Sequence, residues 1–302
     1  MQTEVRVALG QVKIEALCPE QNLARIEAAC RTAGEQGADL IVLPELANLG
    51  QVPSFDHHFA ERYIAAADGL NDSFVNTIRD FAREISLYVV IGMAERHATV
   101  AHTIFNTAVV IDAEGNLVGV QRKLHLPGEE RHYFGVGDRV EVINTDLGVL
   151  AAQICYDLYF PEVARAAALS GSEILIGIAN IPHRDGWPDR MAHLAAVRAY
   201  ENMQHVVLVN RIGSDHGTEY GGESVAVIPP GVIVARLASR TEVTETVALR
   251  ADVLLAERAR RPVFADRRPE LYEAIVAPTA GPAPFLSNRT PSKGRDVSKG
   301  RS

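Results

Sequence analysis

Cysteine is scarce in this chain: Cys18, Cys30 and Cys155 are the three among 302 residues. An odd, scattered set is not a disulfide framework, so a reducing compartment is expected. No apolar run reaches the roughly 18 residues that a membrane-spanning helix needs. The start, Met1-Gln2-Thr3-Glu4, has no basic segment leading into an apolar one; no secretory leader is read there, and a cytoplasmic location is expected. Positive charge is not in excess: the net charge is −8 with both signs interspersed, which argues against a nucleic-acid binder with a basic face. There is no HExxH and no paired CxxC, and His57-His58, read as strand neighbours, would point apart. Glycine-rich dinucleotide and P-loop motifs are missing as well. The expectation is therefore no metal, no cofactor, and no membrane or nucleic-acid partner.

What is present suffices for a large core, since 47% of the residues are apolar. Valine- and isoleucine-rich runs predict strands at residues 5–9, 40–43, 88–91, 149–154, 174–179 and 206–210. Helices are predicted at 22–33, with Leu23, Ile26 and Cys30 on one face, and after the capping cluster Asn71-Asp72-Ser73, with Phe74, Ile78, Phe81 and Ile85 facing the core. Two more are predicted at 161–171 and 189–202. Hairpins pair 107–111 with 117–121, and 224–228 with 232–237 around Pro229-Pro230-Gly231. Strand–helix–strand units mixed with hairpins imply a mixed sheet, or two packed sheets with helices outside. Composition does not break before about residue 280, so residues 1–280 read as one domain. Residues 281–302 read as a disordered tail, since 287–302 are Ser, Lys, Arg and Gly with almost nothing apolar.

Three residues sit where chemistry is feasible. Cys155 comes after a buried strand and precedes a turn and helix, whose N-terminus would favour the thiolate. Alone, such a cysteine is more often a buried structural one, as Cys30 on its apolar stripe illustrates, while Cys18 has no evident partner. Glu45 lies directly beyond the strand Leu40-Ile41-Val42-Leu43, where partial desolvation could raise its pKa to suit a base; alone it reads as a solvated loop glutamate. Lys123, at the end of a hairpin strand, could steady an oxyanion, or be an ordinary strand-end lysine. His125 could form a Cys–His dyad but reads better as a structural histidine.

Their order and surroundings carry more than each alone. Leu43-Pro44-Glu45, then Arg122-Lys123-Leu124-His125-Leu126-Pro127, then Cys155-Tyr156-Asp157-Leu158-Tyr159-Phe160-Pro161-Glu162 resemble the nitrilase superfamily of carbon–nitrogen hydrolases. Tyr133-Phe134-Gly135-Val136-Gly137-Asp138, Arg198-Ala199-Tyr200-Glu201-Asn202 and Arg267-Arg268-Pro269-Glu270-Leu271-Tyr272 agree with it, so the likeness runs over about residues 5–275. The resemblance implies a four-layer α-β-β-α sandwich. It implies a triad of Glu45 as general base, Lys123 as stabiliser of the tetrahedral intermediate and Cys155 as nucleophile. It further implies a second glutamate, for which Glu130 matches better than its neighbour Glu129, and the Tyr156 N–H as a second oxyanion donor. Homodimers or larger homo-oligomers are implied too.

The same likeness orders the candidate reactions. Tyr156-Asp157 after the cysteine, rather than Trp-Glu, places nitriles behind amides. Leu158 and Tyr159 replace the arginines of carbamoylases that grip a carboxylate, and Tyr159 stands where ω-amidases often carry Arg; Arg184 or Arg190 could still serve. The expected substrate is a small amide, or alternatively an N-carbamoyl amine of the N-carbamoylputrescine kind. An acyltransferase and a catalytically dead binding protein rank below both.

Overall fold

The computed structural model describes residues 1–184, 189–238 and 240–277. The expected tail at 281–302 lies outside them, as does the stretch 185–188. The chain divides into two compact units, Met1–Val263 and Phe264–Ser302.

In the first unit the first half of the chain builds one sheet. Its strands are β1 (Glu4–Gln11), β2 (Leu40–Val42), β3 (Tyr88–Arg96), β4 (Ile104–Ile111), β5 (Leu117–Arg122) and the short β6 (Phe134–Gly135), which pairs with β4. The second half builds the other sheet from β7 (Val142–Thr145), β8 (Gly148–Ile154), β9 (Ile174–Ala179) and β10 (His205–Asn210). A separate ribbon, β11 (Ile212–Asp215) and β12 (Thr218–Gly221), comes next; β13 (Val225–Ile228) and β14 (Val232–Arg236) complete the second sheet. The chain then returns to the first sheet, where β15 (Val243–Arg250) pairs antiparallel with β1.

Side-chain alternation explains the layering. In β1, Val5, Val7 and Leu9 enter a core shared with Leu150, Ala152, Ile154, Ile176 and Val207 of the opposite sheet. Ala8, between them, faces the other way, into a core with α1 (Pro19–Glu35) and α3 (Ser73–Ile85). Because both faces are covered, the central strands lack the alternation of a half-exposed sheet and read as continuous apolar runs. On the far side, Ala151, Leu175 and Val206 meet Ala164 and Ala167 of α4 (Pro161–Leu169) and Ala195 and Ala199 of α5 (Arg190–Asn202). Helix, sheet, sheet and helix are the four layers expected.

Some elements differ from expectation. Helix α1 starts earlier, with Pro19 in its first turn, because Asn22 turns inward and exchanges two 2.8 Å hydrogen bonds with the Glu15 backbone. His57 and His58 open a helix, α2 (His57–Ala66), not a strand; Asp56 caps it by accepting from the Phe59 N–H at 2.7 Å. Neither β15 nor the helix α6 (Ala251–Arg260) has an apolar pattern strong enough to be read. Among the described residues no helix is long and apolar enough to cross a membrane. The described part of the second unit holds a 3-10 turn at Pro269–Leu271 and the short helix α7 (Glu273–Val276), with Leu271, Ile275 and Val276 exposed.

Candidate active site

Glu45, Lys123 and Cys155 come off strand ends in two different sheets: Glu45 beyond β2, Lys123 after β5, Cys155 after β8. The glutamate's turn is seated on β3 through Gly92, whose N–H donates to Pro44 O at 3.0 Å and whose carbonyl accepts from Ala47 at 2.8 Å. A Cβ on Gly92 would stand 2.5 Å from Glu45 Cα, so only glycine allows this approach.

Glu45 is fully buried, not a solvated loop residue. Its Oε1 accepts from Lys123 Nζ at 2.7 Å and from Asn106 Nδ2 at 2.7 Å, and its Oε2 accepts from the Asn180 N–H at 2.7 Å. Lys123, also fully buried, donates in addition to both oxygens of Glu130, at 3.0 and 2.7 Å. Burial works against the ammonium, but the attraction of Glu45 and Glu130 outweighs it and keeps Lys123 charged, above the ordinary lysine range. Burial raises the pKa of Glu130, and Glu45 adds to that, with Lys123 opposing. Two carboxylates therefore share one ammonium. Glu129 is elsewhere: it is exposed and accepts from the Phe55 N–H at 3.0 Å.

Cys155 adopts φ of +49°, a left-handed conformation that costs a non-glycine residue energy and recurs where a side chain must be aimed. Burial pushes its thiol well above the usual value. The charges of Glu45 and Glu130 push the same way, while Lys123 and the Asn180 N–H pull down. The expected thiolate at a helix N-terminus is thus corrected. Cys155 opens a five-residue 3-10 turn, Cys155–Tyr159, and desolvation beside two carboxylates wins.

Asp157 pins that turn to the lysine loop. Its buried carboxylate accepts from the backbone of Ile154, Leu124 and His125 at 3.3, 3.3 and 2.9 Å, and lies 2.8 Å from His125 Nδ1. His125 is stacked on Phe160 with ring centroids 3.6 Å apart, so it is a structural histidine. Arg198 of α5 donates to Leu158 O at 3.0 Å and braces the same turn from outside.

Beside the cluster opens a cavity of about 280 Å³, lined by Gln51, Glu129, Glu130, Asp215, His216 and Tyr220 among others. Gln51 spans it, with Nε2 3.2 Å from Glu130 Oε1 and Oε1 accepting from Asn180 Nδ2 at 3.0 Å. Fully buried Arg211 pairs with Asp215 and lies 4.4 Å from the Tyr220 ring centroid, fixing the β11–β12 ribbon as a wall. Sequence reasoning did not single out Gln51, Asn106, Asn180 or Arg211. Asn180 stands directly beyond a buried strand, as Glu45 does, and that same signal could have found it.

The chain matches the Carbon-nitrogen hydrolase family over residues 6–257. It belongs to that family, whose members form the nitrilase superfamily. It is 32% identical over 276 residues to a nitrilase of Pyrococcus abyssi, covering 89% of this chain and 99% of that protein. It is 30% identical over 280 residues to the N-carbamoylputrescine amidase of Arabidopsis thaliana, covering 84% of this chain and 89% of that protein. Among solved structures, a double mutant of the amidase from Nesterenkonia sp. AN1 in complex with acrylamide superposes with a TM-score of 0.75 at 27% identity, covering 91% and 98% of the two chains. The chain is therefore a carbon–nitrogen hydrolase working through a cysteine nucleophile.

Proposed function

We propose that the enzyme hydrolyses small non-peptide amides, with Cys155 as nucleophile, Glu45 as general base and Lys123 as oxyanion stabiliser. The observation that carries this reading is the buried Lys123 ammonium, 2.7 Å from Glu45 and from Glu130, in the enclosure that also holds the Cys155 thiol. The charge on Glu45 helps hold Cys155 as a thiol, and that obstacle disappears when Glu45 accepts the proton. Proton transfer therefore relieves itself as the sulfur attacks the carbonyl carbon.

The oxyanion that forms is met by Lys123 and by the Tyr156 N–H, in the first turn of a 3-10 segment where backbone donors lack an internal acceptor. Glu45 returns its proton to the leaving nitrogen, the C–N bond breaks, and a thioester remains on Cys155. Water, deprotonated by Glu45, opens the thioester. Glu130 keeps Lys123 in place and charged throughout.

A second reading, an N-carbamoyl amine hydrolase, has its own support. Glu129, Glu130 and Asp215 line the cavity, and no Lys or Arg does among the described lining residues. Arg190 is turned onto Pro182 O at 2.7 Å. Lys123 offsets Glu130 and Arg211 offsets Asp215, so it is Glu129 that tips the cavity toward a neutral or cationic substrate tail rather than a carboxylate one. Amides, N-carbamoyl amines, ω-monoamides and nitriles screened for ammonia release, with CO2 detected in parallel, separate the readings. Cys155→Ala should abolish turnover while the protein still folds; surviving activity removes the nucleophile assignment. A second copy of the chain is the expected partner, and α5 turns Val197 and Tyr200 outward, each about half exposed.

A further inference from the structure

The hydrogen-bond directions around the cavity can be fixed without seeing a proton. Glu130 is paired with the Lys123 ammonium and, as a carboxylate, only accepts, so Gln51 must present Nε2 to it. Gln51 Oε1 then faces Asn180, which must answer with Nδ2. That leaves Asn180 Oδ1 as an acceptor, in a residue 4% exposed, with no partner. Buried polar atoms left open are uncommon and costly, so one beside a reaction centre calls for a donor that arrives with the substrate. Asn106 Oδ1 is open too, and neither asparagine lines the cavity itself, but the Asn106 side chain bonds to Glu45, which does not line it either. Asn180 is tied to cavity-lining Gln51.

The position of Asn180 identifies the donor. Its backbone N–H reaches Glu45 Oε2 at 2.7 Å and also bears on the Cys155 sulfur, so its side chain starts between base and nucleophile. When the substrate carbon meets Cys155 and its oxygen faces Lys123, the leaving nitrogen points toward Glu45, which must protonate it. An unsubstituted NH2 carries two hydrogens. One is directed at the carboxylates, and the other needs an acceptor on the Asn180 side. We infer that Asn180 is a specificity-determining residue whose Oδ1 accepts a hydrogen bond from the NH2 of a primary amide or carbamoyl group, held in aim by Gln51. Ammonia is then the first product in either case.

This inference rests on the hydrolase reading above, and the test keeps the two apart. Wild type, Asn180→Ala and Cys155→Ala are assayed on a primary amide and on the methyl ester of the same acid, which has no N–H to offer. Loss of Oδ1 should lower kcat/KM for the amide on the order of ten- to hundredfold, as expected when a site built to hydrogen-bond a substrate loses that bond. The ester should change by less than about threefold on the same reasoning. Gln51→Leu, which frees the Asn180 side chain, should lower the amide-to-ester ratio in the same direction but less. An ester too slow to measure by turnover is scored by its inhibition constant against the amide, with the same expectation. An equal fall on both substrates means a structural role and overturns the inference. An unchanged amide rate overturns it as well. Absence of Cys155-dependent cleavage of any amide overturns the hydrolase reading instead.

Discussion

Gly92→Ala places one carbon where the carboxylate of Glu45, the proposed general base, is anchored. The added Cβ would lie 2.5 Å from Glu45 Cα, 2.8 Å from Leu46 N and 2.9 Å from Ile178 Cδ1. Non-bonded carbons rest about 3.5–4.0 Å apart, so the Glu45 turn must retreat by roughly 1 Å. The nearest two atoms are backbone, so no rotamer change absorbs the clash. The hydrogen bonds to Pro44 and Ala47 that bracket Glu45 stretch with it. Overpacking of this kind costs about 1–3 kcal/mol of stability, and a 1 Å displacement of a catalytic group costs on the order of a hundredfold in rate. Kinetics by ammonia release, beside a urea denaturation curve, separates the two: kcat should fall on the order of a hundredfold at a temperature where the variant is still fully folded. A kcat within about threefold of wild type with unchanged stability would refute the claim that this contact sets the position of Glu45.

The same geometry fixes other outcomes. Glu130→Gln should cut kcat by on the order of a hundredfold because Lys123 loses a charged partner at 2.7 Å; Glu129→Gln should stay within a fewfold, and the reverse ranking in a side-by-side assay would reassign the second glutamate. Glu45→Gln should lower the pKa of the Cys155 thiol while destroying turnover, because the Glu45 charge is among the influences that raise it; thiolate absorbance, read as a difference against Cys155→Ala, checks the direction, and an upward shift contradicts it. His205 is buried with Nε2 3.1 Å from Arg250 O, and burial depresses its pKa to about 4. The unfolded chain takes up that proton near pH 6.5 and the folded chain does not until about 4, so stability is lost as pH falls through this window, by about 2 kcal/mol between pH 7 and pH 5. Urea unfolding at the two pH values should show that slope in wild type and a smaller one in His205→Gln; equal slopes exclude His205 as the source.

How far the sequence could be read depended on where the relevant physics lies along the chain. The layers were legible because each central strand is covered on both faces, which leaves a continuous apolar run such as Ile174–Ala179. Strand β15 was not, since an edge strand with one partner buries little: Leu249 alone in it is fully buried. The placement of Glu45 and Cys155 just past buried strands was legible, and that of Lys123 as the residue closing a hairpin. The protonation state of Cys155 was not. Burial between the two sheets comes first in setting it, and Glu45, 110 positions away beyond a strand of the other sheet, pushes the same way, whereas local context offered a helix N-terminus that the 3-10 turn does not supply.

The residues that position the site were harder still. Gln51 sits in a loop with no periodicity, and its partners are Glu130 and Asn180, contributed by a 3-10 turn and by the end of β9. A loop glutamine acquires meaning only when a carboxylate dictates which end of its amide faces which neighbour. The same holds for Asp157, which reads as one letter of a motif yet gathers backbone donors from the lysine loop and the cysteine turn. In this enzyme the groups proposed to react are written locally, at strand ends. Their alignment is written in polar pairs far apart in the chain, and an acceptor such as Asn180 Oδ1 is visible only once every bond around it has been assigned.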